Sequence, residues 1–130
     1  GGTGEFTLSG QQGHPVVLNF WGSWCPPCRA EFPALQAVAD AYKSDGLVLF
    51  GVNAGGIIKD SESDAKQFLT GQGTTFPTGP DLDDRIIVDY KVTSFPTTYF
   101  ITRDGNIFRE WVGAVDETHL ATLVEELINL

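Results

Sequence analysis

The only two cysteines of this 130-residue chain stand three positions apart in the run Trp24-Cys25-Pro26-Pro27-Cys28. They follow the apolar run Val16-Val17-Leu18-Asn19-Phe20-Trp21 and precede a helical pattern. A helix N-terminus carries unsatisfied N–H groups and a partial positive charge. A sulfur held there is favoured as thiolate, which is the reactive form. A second sulfur one turn along can then attack a mixed disulfide formed by the first. The pair reads as a two-electron redox centre, with Cys25 the exposed nucleophile and Cys28 the resolving thiol.

Other chemistries for two cysteines fit less well. A structural disulfide over this spacing closes too small a loop to restrict the unfolded chain much. A zinc site lacks further cysteines, and His14 and His119 lie far apart in the chain. A c-type haem attachment needs a histidine where Arg29 stands. A non-catalytic Cu(I) carrier would use both thiolates, but the chain has no methionine and no histidine near the pair. Pro26 and Pro27 remove two backbone donors beside the sulfurs and stiffen the loop.

Several neighbours bear on this chemistry. Glu31, three residues after Cys28, shares its helix face. It is either a solvated helix glutamate or, if buried, a carboxyl of raised pKa able to exchange protons with the thiols. Trp24 either covers the core edge or forms an apolar docking rim. Trp21 and Trp111 read as core packing, and Asn19 as a buried hydrogen-bonded residue. Arg29 is a solvated charge or a weak thiolate partner.

The elements that must position these residues can be traced along the chain. Phe6-Thr7-Leu8 is a short possible strand. Residues 16–21 form a strand apolar on both faces, as a central parallel strand requires. A helix starting at Pro26 or Pro27 carries the stripe Phe32, Leu35, Val38, Ala39 and Tyr42, ends near Ser44-Asp45-Gly46 and is kinked by Pro33. Leu47 to Asn53 is a second central strand, and Ser61 to Asp64 starts a helix with Ala65, Phe68 and Leu69. Residues 71–82 are turn-rich, and Leu82 to Tyr90 reads as a short helix. Thr97 to Ile101 and Ile107 to Val112 are strands joined at Asp104-Gly105. Asp116 caps a last helix with the stripe Leu120, Leu123, Val124, Leu127 and Ile128.

This order predicts a single α/β domain over residues 1–130: a three-layer sandwich, its mixed central sheet flanked by helices on both faces. Residues 54–90 form a helical insert, and residues 1–5 an appended or processed end. The net charge of -9 speaks against nucleic acid and against an anionic membrane surface as partners. No stretch approaches the ~20 apolar residues of a membrane span.

With these residues in place the chain resembles the thioredoxin superfamily, and within it the TlpA/ResA/DsbE group of bacterial cell-envelope disulfide reductases. The resemblance rests on Val17 to Trp21 leading into Trp24 to Cys28, on Phe95-Pro96-Thr97 and on Trp111-Val112-Gly113. Arg29-Ala30-Glu31-Phe32-Pro33, the 54–90 insert, Asp83 to Thr98 and Ile101 to Ile107 point to the narrower group. The chain departs from ordinary thioredoxins at Asn19, where those have a buried aspartate. Glu31 stands where ResA-type members have a glutamate.

The resemblance implies a thiol–disulfide oxidoreductase that works as a reductase outside the cytoplasm, as a monomer. It implies Phe95 and a cis-Pro96 against the sulfurs, with the Phe95 backbone open to an extended substrate segment. Implied partners are protein disulfides, including those of apocytochrome c in cytochrome c maturation, and a membrane disulfide reductase as electron donor. Membrane attachment would come only through an anchor absent from this sequence. No metal or organic cofactor is implied beyond the cysteine pair. An oxidase or isomerase on the same fold is the nearest alternative.

Overall fold

The computed structural model describes residues 11, 13–53, 61–80 and 94–130. Its centre is β1 (Val16–Trp21), buried along its whole length. Such a strand needs a neighbour on each edge and cover on each face. It pairs in parallel with β2 (Val48–Asn53), with Asn19 opposite Gly51, and antiparallel with β4 (Thr97–Ile101), with Asn19 opposite Thr98. The hairpin partner β5 (Ile107–Val112) forms one edge. The other edge is β3 (Thr78–Pro80), parallel to β2, giving the order β3-β2-β1-β4-β5.

Between β1 and β2 runs α1 (Pro26–Tyr42), with its two prolines in the first turn, where a missing N–H costs nothing. It continues through Pro33 as one element and passes into a short 3-10 turn over Lys43–Asp45. Helix α2 (Glu62–Gln72) starts where Ser61 Oγ accepts from the Asp64 amide. Helix α3 (Glu117–Ile128) starts where Asp116 accepts from the His119 amide. Both caps are those expected from sequence.

Alternation along β1 divides the core in two. Val17 and Trp21 face α1, α2 and α3, together with Phe32, Leu35, Phe68, Leu120 and Val124. Val16, Leu18 and Phe20 face the other way, with Phe50, Val52, Tyr99 and Ile101. An aromatic cluster ties the first layer together: Phe32 lies 4.9 Å from both Trp21 and Phe68 and 5.5 Å from Phe76.

The mixed thioredoxin-like sheet with its hairpin edge agrees with the sequence reading. Strand β3 does not: it lies within the turn-rich stretch 71–82 and has only three residues. A periodic signal cannot emerge over that length, and only pairing with β2 makes it a strand. Gly51 permits that approach. A Cβ there would stand 3.1 Å from Trp21 Nε1 and 3.2 Å from Thr78 Cγ2. The strand proposed at Phe6 to Leu8 and the helix over 82–90 lie outside the described residues. No helix among the described residues is long and apolar enough to cross a membrane.

Candidate active site

Cys25 is the N-cap of α1, in extended conformation, and its Sγ accepts from the Cys28 amide at 3.3 Å. The helix end is thus aimed at this sulfur, as thiolate stabilisation requires. Cys25 and Cys28 are joined as a disulfide, their Cα atoms 5.2 Å apart. Pro26 and Pro27 sit exposed at the first two helical positions and hold the loop in shape.

Cys25 is only 2% exposed, which corrects the expectation of an exposed nucleophile. It belongs to the same packed cluster as Trp21, Phe32 and the partly buried Phe95. Its Sγ lies 3.7 Å from the Phe95 carbonyl. A disulfide sulfur carries no hydrogen, so this is a contact in the oxidised state. Only the reduced Cys25 thiol can donate to that oxygen. The Phe95–Pro96 bond is cis, and the Pro96 carbonyl accepts from the Gly113 amide at 2.8 Å. Cys25, Cys28, Phe95 and Pro96 are therefore brought to one place from segments 70 residues apart in the chain.

Trp24, immediately before Cys25, is 54% exposed and stands free of the core. Trp21 is fully buried, whereas Trp111 is only partly so. Its Nε1 donates to the Ala114 carbonyl at 3.2 Å and its ring lies 5.3 Å from that of His119. Arg29 donates to the Ser23 carbonyl at 3.2 Å and sits over the Phe68 ring at 5.0 Å. It ties the active-site loop to α2 by a hydrogen bond and a cation–π contact.

Glu31 is 2% exposed. Its Oε1 accepts from Asn19 Nδ2 at 2.6 Å and its Oε2 from the Val115 amide at 3.2 Å. Burial pushes its pKa up to about 7, against the opposing effect of the Asn19 and Val115 hydrogen bonds. It is thus a carboxyl of raised pKa on the face of α1 that carries Cys28, one turn away. Asn19 is the buried, hydrogen-bonded residue expected, donating also to Thr98 Oγ1 at 2.9 Å.

Thr98 and Val115 were not singled out from sequence. Alternation along β4 places Thr98 opposite Asn19 and could have found it. Val115 contributes a backbone amide, which no side-chain pattern reveals. Among the described residues no three His, Cys, Asp or Glu side chains are grouped so as to hold a metal ion.

Comparison with known proteins fits this geometry. The AhpC/TSA family profile matches residues 1–109. The thiol-disulfide oxidoreductase ResA of Bacillus subtilis is 32% identical over 123 residues, covering 95% of this chain; the chain spans 64% of that relative's length. Among solved structures, a candidate thiol:disulfide interchange protein DsbE of Chlorobium tepidum superposes with a TM-score of 0.84 at 30% identity, over 93% of this chain and 84% of the other. A secreted Mycobacterium tuberculosis disulfide oxidoreductase, homologous to DsbE of E. coli, superposes with a TM-score of 0.81 at 28% identity, over 92% and 86%.

Proposed function

We propose, for a chain that belongs to the AhpC/TSA family of thioredoxin-fold proteins, that Cys25 and Cys28 form a redox centre reducing disulfides in protein substrates. The observation that carries this reading is the placement of Cys25 Sγ. It caps a helix N-terminus, accepts the Cys28 amide and lies 3.7 Å from the Phe95 carbonyl.

In the reduced protein the Cys25 thiolate attacks a substrate disulfide and displaces one substrate thiolate. Cys28 then loses its proton and attacks Cys25 Sγ. The Cys25–substrate bond breaks, the Cys25–Cys28 bond forms, and the second substrate thiolate leaves. Glu31 takes up the Cys28 proton, its raised pKa matching it to that task near neutrality. The backbone at Phe95 guides the substrate strand, and Trp24 and Phe95 supply apolar contacts around the cystine. No metal or organic cofactor enters this cycle.

The reductase direction, an upstream thiol protein as electron donor and a position outside the cytoplasm form the finer part of the proposal. A relative described as secreted supports the location. Substrates would be cystine-bearing proteins, with apocytochrome c one member of that class.

The test is the equilibrium reduction potential of the pair in defined thiol buffers, followed by tryptophan fluorescence. A value at or below roughly −250 mV supports a reductase. A value near about −120 mV, the range of a strong oxidant, assigns the opposite direction. Tight Cu(I) binding by reduced protein that reduces no disulfide would overturn the enzyme reading.

A further inference from the structure

Asn19 has no exposed surface, and its side-chain amide is used one-sidedly. Nδ2 donates to both Glu31 Oε1 and Thr98 Oγ1, whereas Oδ1 is buried and accepts from no donor among the described residues. Buried acceptors without a donor are rare in folded proteins and call for a reason.

Both partners of the amide are chemically reversible. An ionised carboxylate only accepts, but a protonated one donates through its O–H. A threonine hydroxyl both donates and accepts, and rotates to suit. Half a turn about the terminal bond of asparagine exchanges Oδ1 for Nδ2. We propose that Asn19 is a positioning residue whose amide turns when Glu31 changes protonation state, so that the buried carboxyl keeps its hydrogen bond as base and as acid.

With Glu31 ionised, Nδ2 donates to Oε1 and to Thr98, as the structure has it. With Glu31 protonated at Oε1, its O–H donates to Oδ1, and the Thr98 hydroxyl donates to the same oxygen. Oε2 accepts from Val115 in both states. The spare Oδ1 of the first state is the acceptor used in the second. An aspartate in place of Asn19 would set a second charge beside the first, and a leucine would serve neither state.

Among the described residues, few other charges act on this site. From α1, Cys28 is held in the disulfide, and Arg29 is turned to Ser23 and Phe68. From the segment entering α3, Asp116 is exposed and bound to His119. Strands β1 and β4 offer Asn19 and Thr98, neither of which titrates. The pKa of about 7 means that both states are populated near neutrality. In the proposed catalytic cycle, on which only this last step rests, the Cys28 proton passes to Glu31 and the amide turn accommodates it.

The experiment is a pH titration of the oxidised protein by NMR, following the Glu31 side-chain carboxyl carbon and the Asn19 side-chain NH₂ group. The Asn19 signals are expected to move with the Glu31 midpoint. In Asn19→Leu the midpoint is expected to rise, because a charge-assisted bond to the ionised form is lost and is about twice as strong as the neutral one. Asn19 signals that stay still while Glu31 titrates, or an unchanged midpoint in Asn19→Leu, would overturn the proposal. Should Asn19→Leu not fold, the wild-type titration decides alone. No thiol exchange enters the measurement, so a pair that proves redox-inactive removes the proposed function and leaves this result to be judged separately.

Discussion

Gly113 donates its backbone N–H to the carbonyl of Pro96 at 2.8 Å, tying the end of β5 to the residue before β4. Two residues on, Val115 donates to Glu31 at 3.2 Å. One short segment therefore grips the proline loop with one amide and α1 with another. It links the loop facing Cys25 to the carboxyl that stands one turn after Cys28 on α1.

Gly113 has φ +98°, a region L side chains rarely adopt, and open space where a Cβ would stand. The penalty of Gly113→Ala is therefore backbone strain rather than a clash. Stability is expected to fall by about 1–2 kcal/mol, with an unchanged denaturant slope. A shift below about 0.5 kcal/mol in urea unfolding would remove the strain argument.

Glu31 links stability to pH. Its folded pKa of about 7 lies above its ordinary value of 4.5. The folded state therefore holds the proton more tightly than the unfolded chain. The contribution is fully present below pH 4.5 and is lost as pH rises to about 7. The total is on the order of 3 kcal/mol. Glu31→Gln, which mimics the neutral form, is expected to lose much less over this range. Parallel pH-stability curves for the two oxidised proteins would contradict the assignment.

Cys28→Ser leaves Cys25 able to attack but removes the thiol that resolves the intermediate. Turnover on a protein disulfide is expected to fall at least about a hundredfold, with a stable mixed disulfide at Cys25. Mass spectrometry of the quenched reaction checks this. Accumulation of the adduct in Cys25→Ser instead would reverse the two roles.

Trp24 is exposed beside the cystine and little used by the core. Trp24→Ala is expected to change stability by less than about 0.5 kcal/mol. If the side chain forms the docking rim, KM for a protein disulfide rises about fivefold or more, while reaction with a small aromatic disulfide stays the same. Equal losses on both substrates would assign the residue to loop structure.

Local sequence was enough for β1, α1, α3, the β4–β5 hairpin and the caps at Ser61 and Asp116, because each is written in neighbouring residues. A strand buried on both faces reads as a continuous apolar run, and a helix as a stripe three or four residues apart. The cysteine pair was legible for the same reason, its partners being three positions apart. Tertiary structure decided the rest. Glu31 meets Asn19 across 12 residues and Val115 across 84, so neither its burial nor its raised pKa follows from its place on α1. The near-complete burial of Cys25 and the strand character of Thr78–Pro80 likewise come from packing against distant segments. Desolvation and long-range hydrogen bonding depend on what the whole fold lays over a residue, and no local period records that.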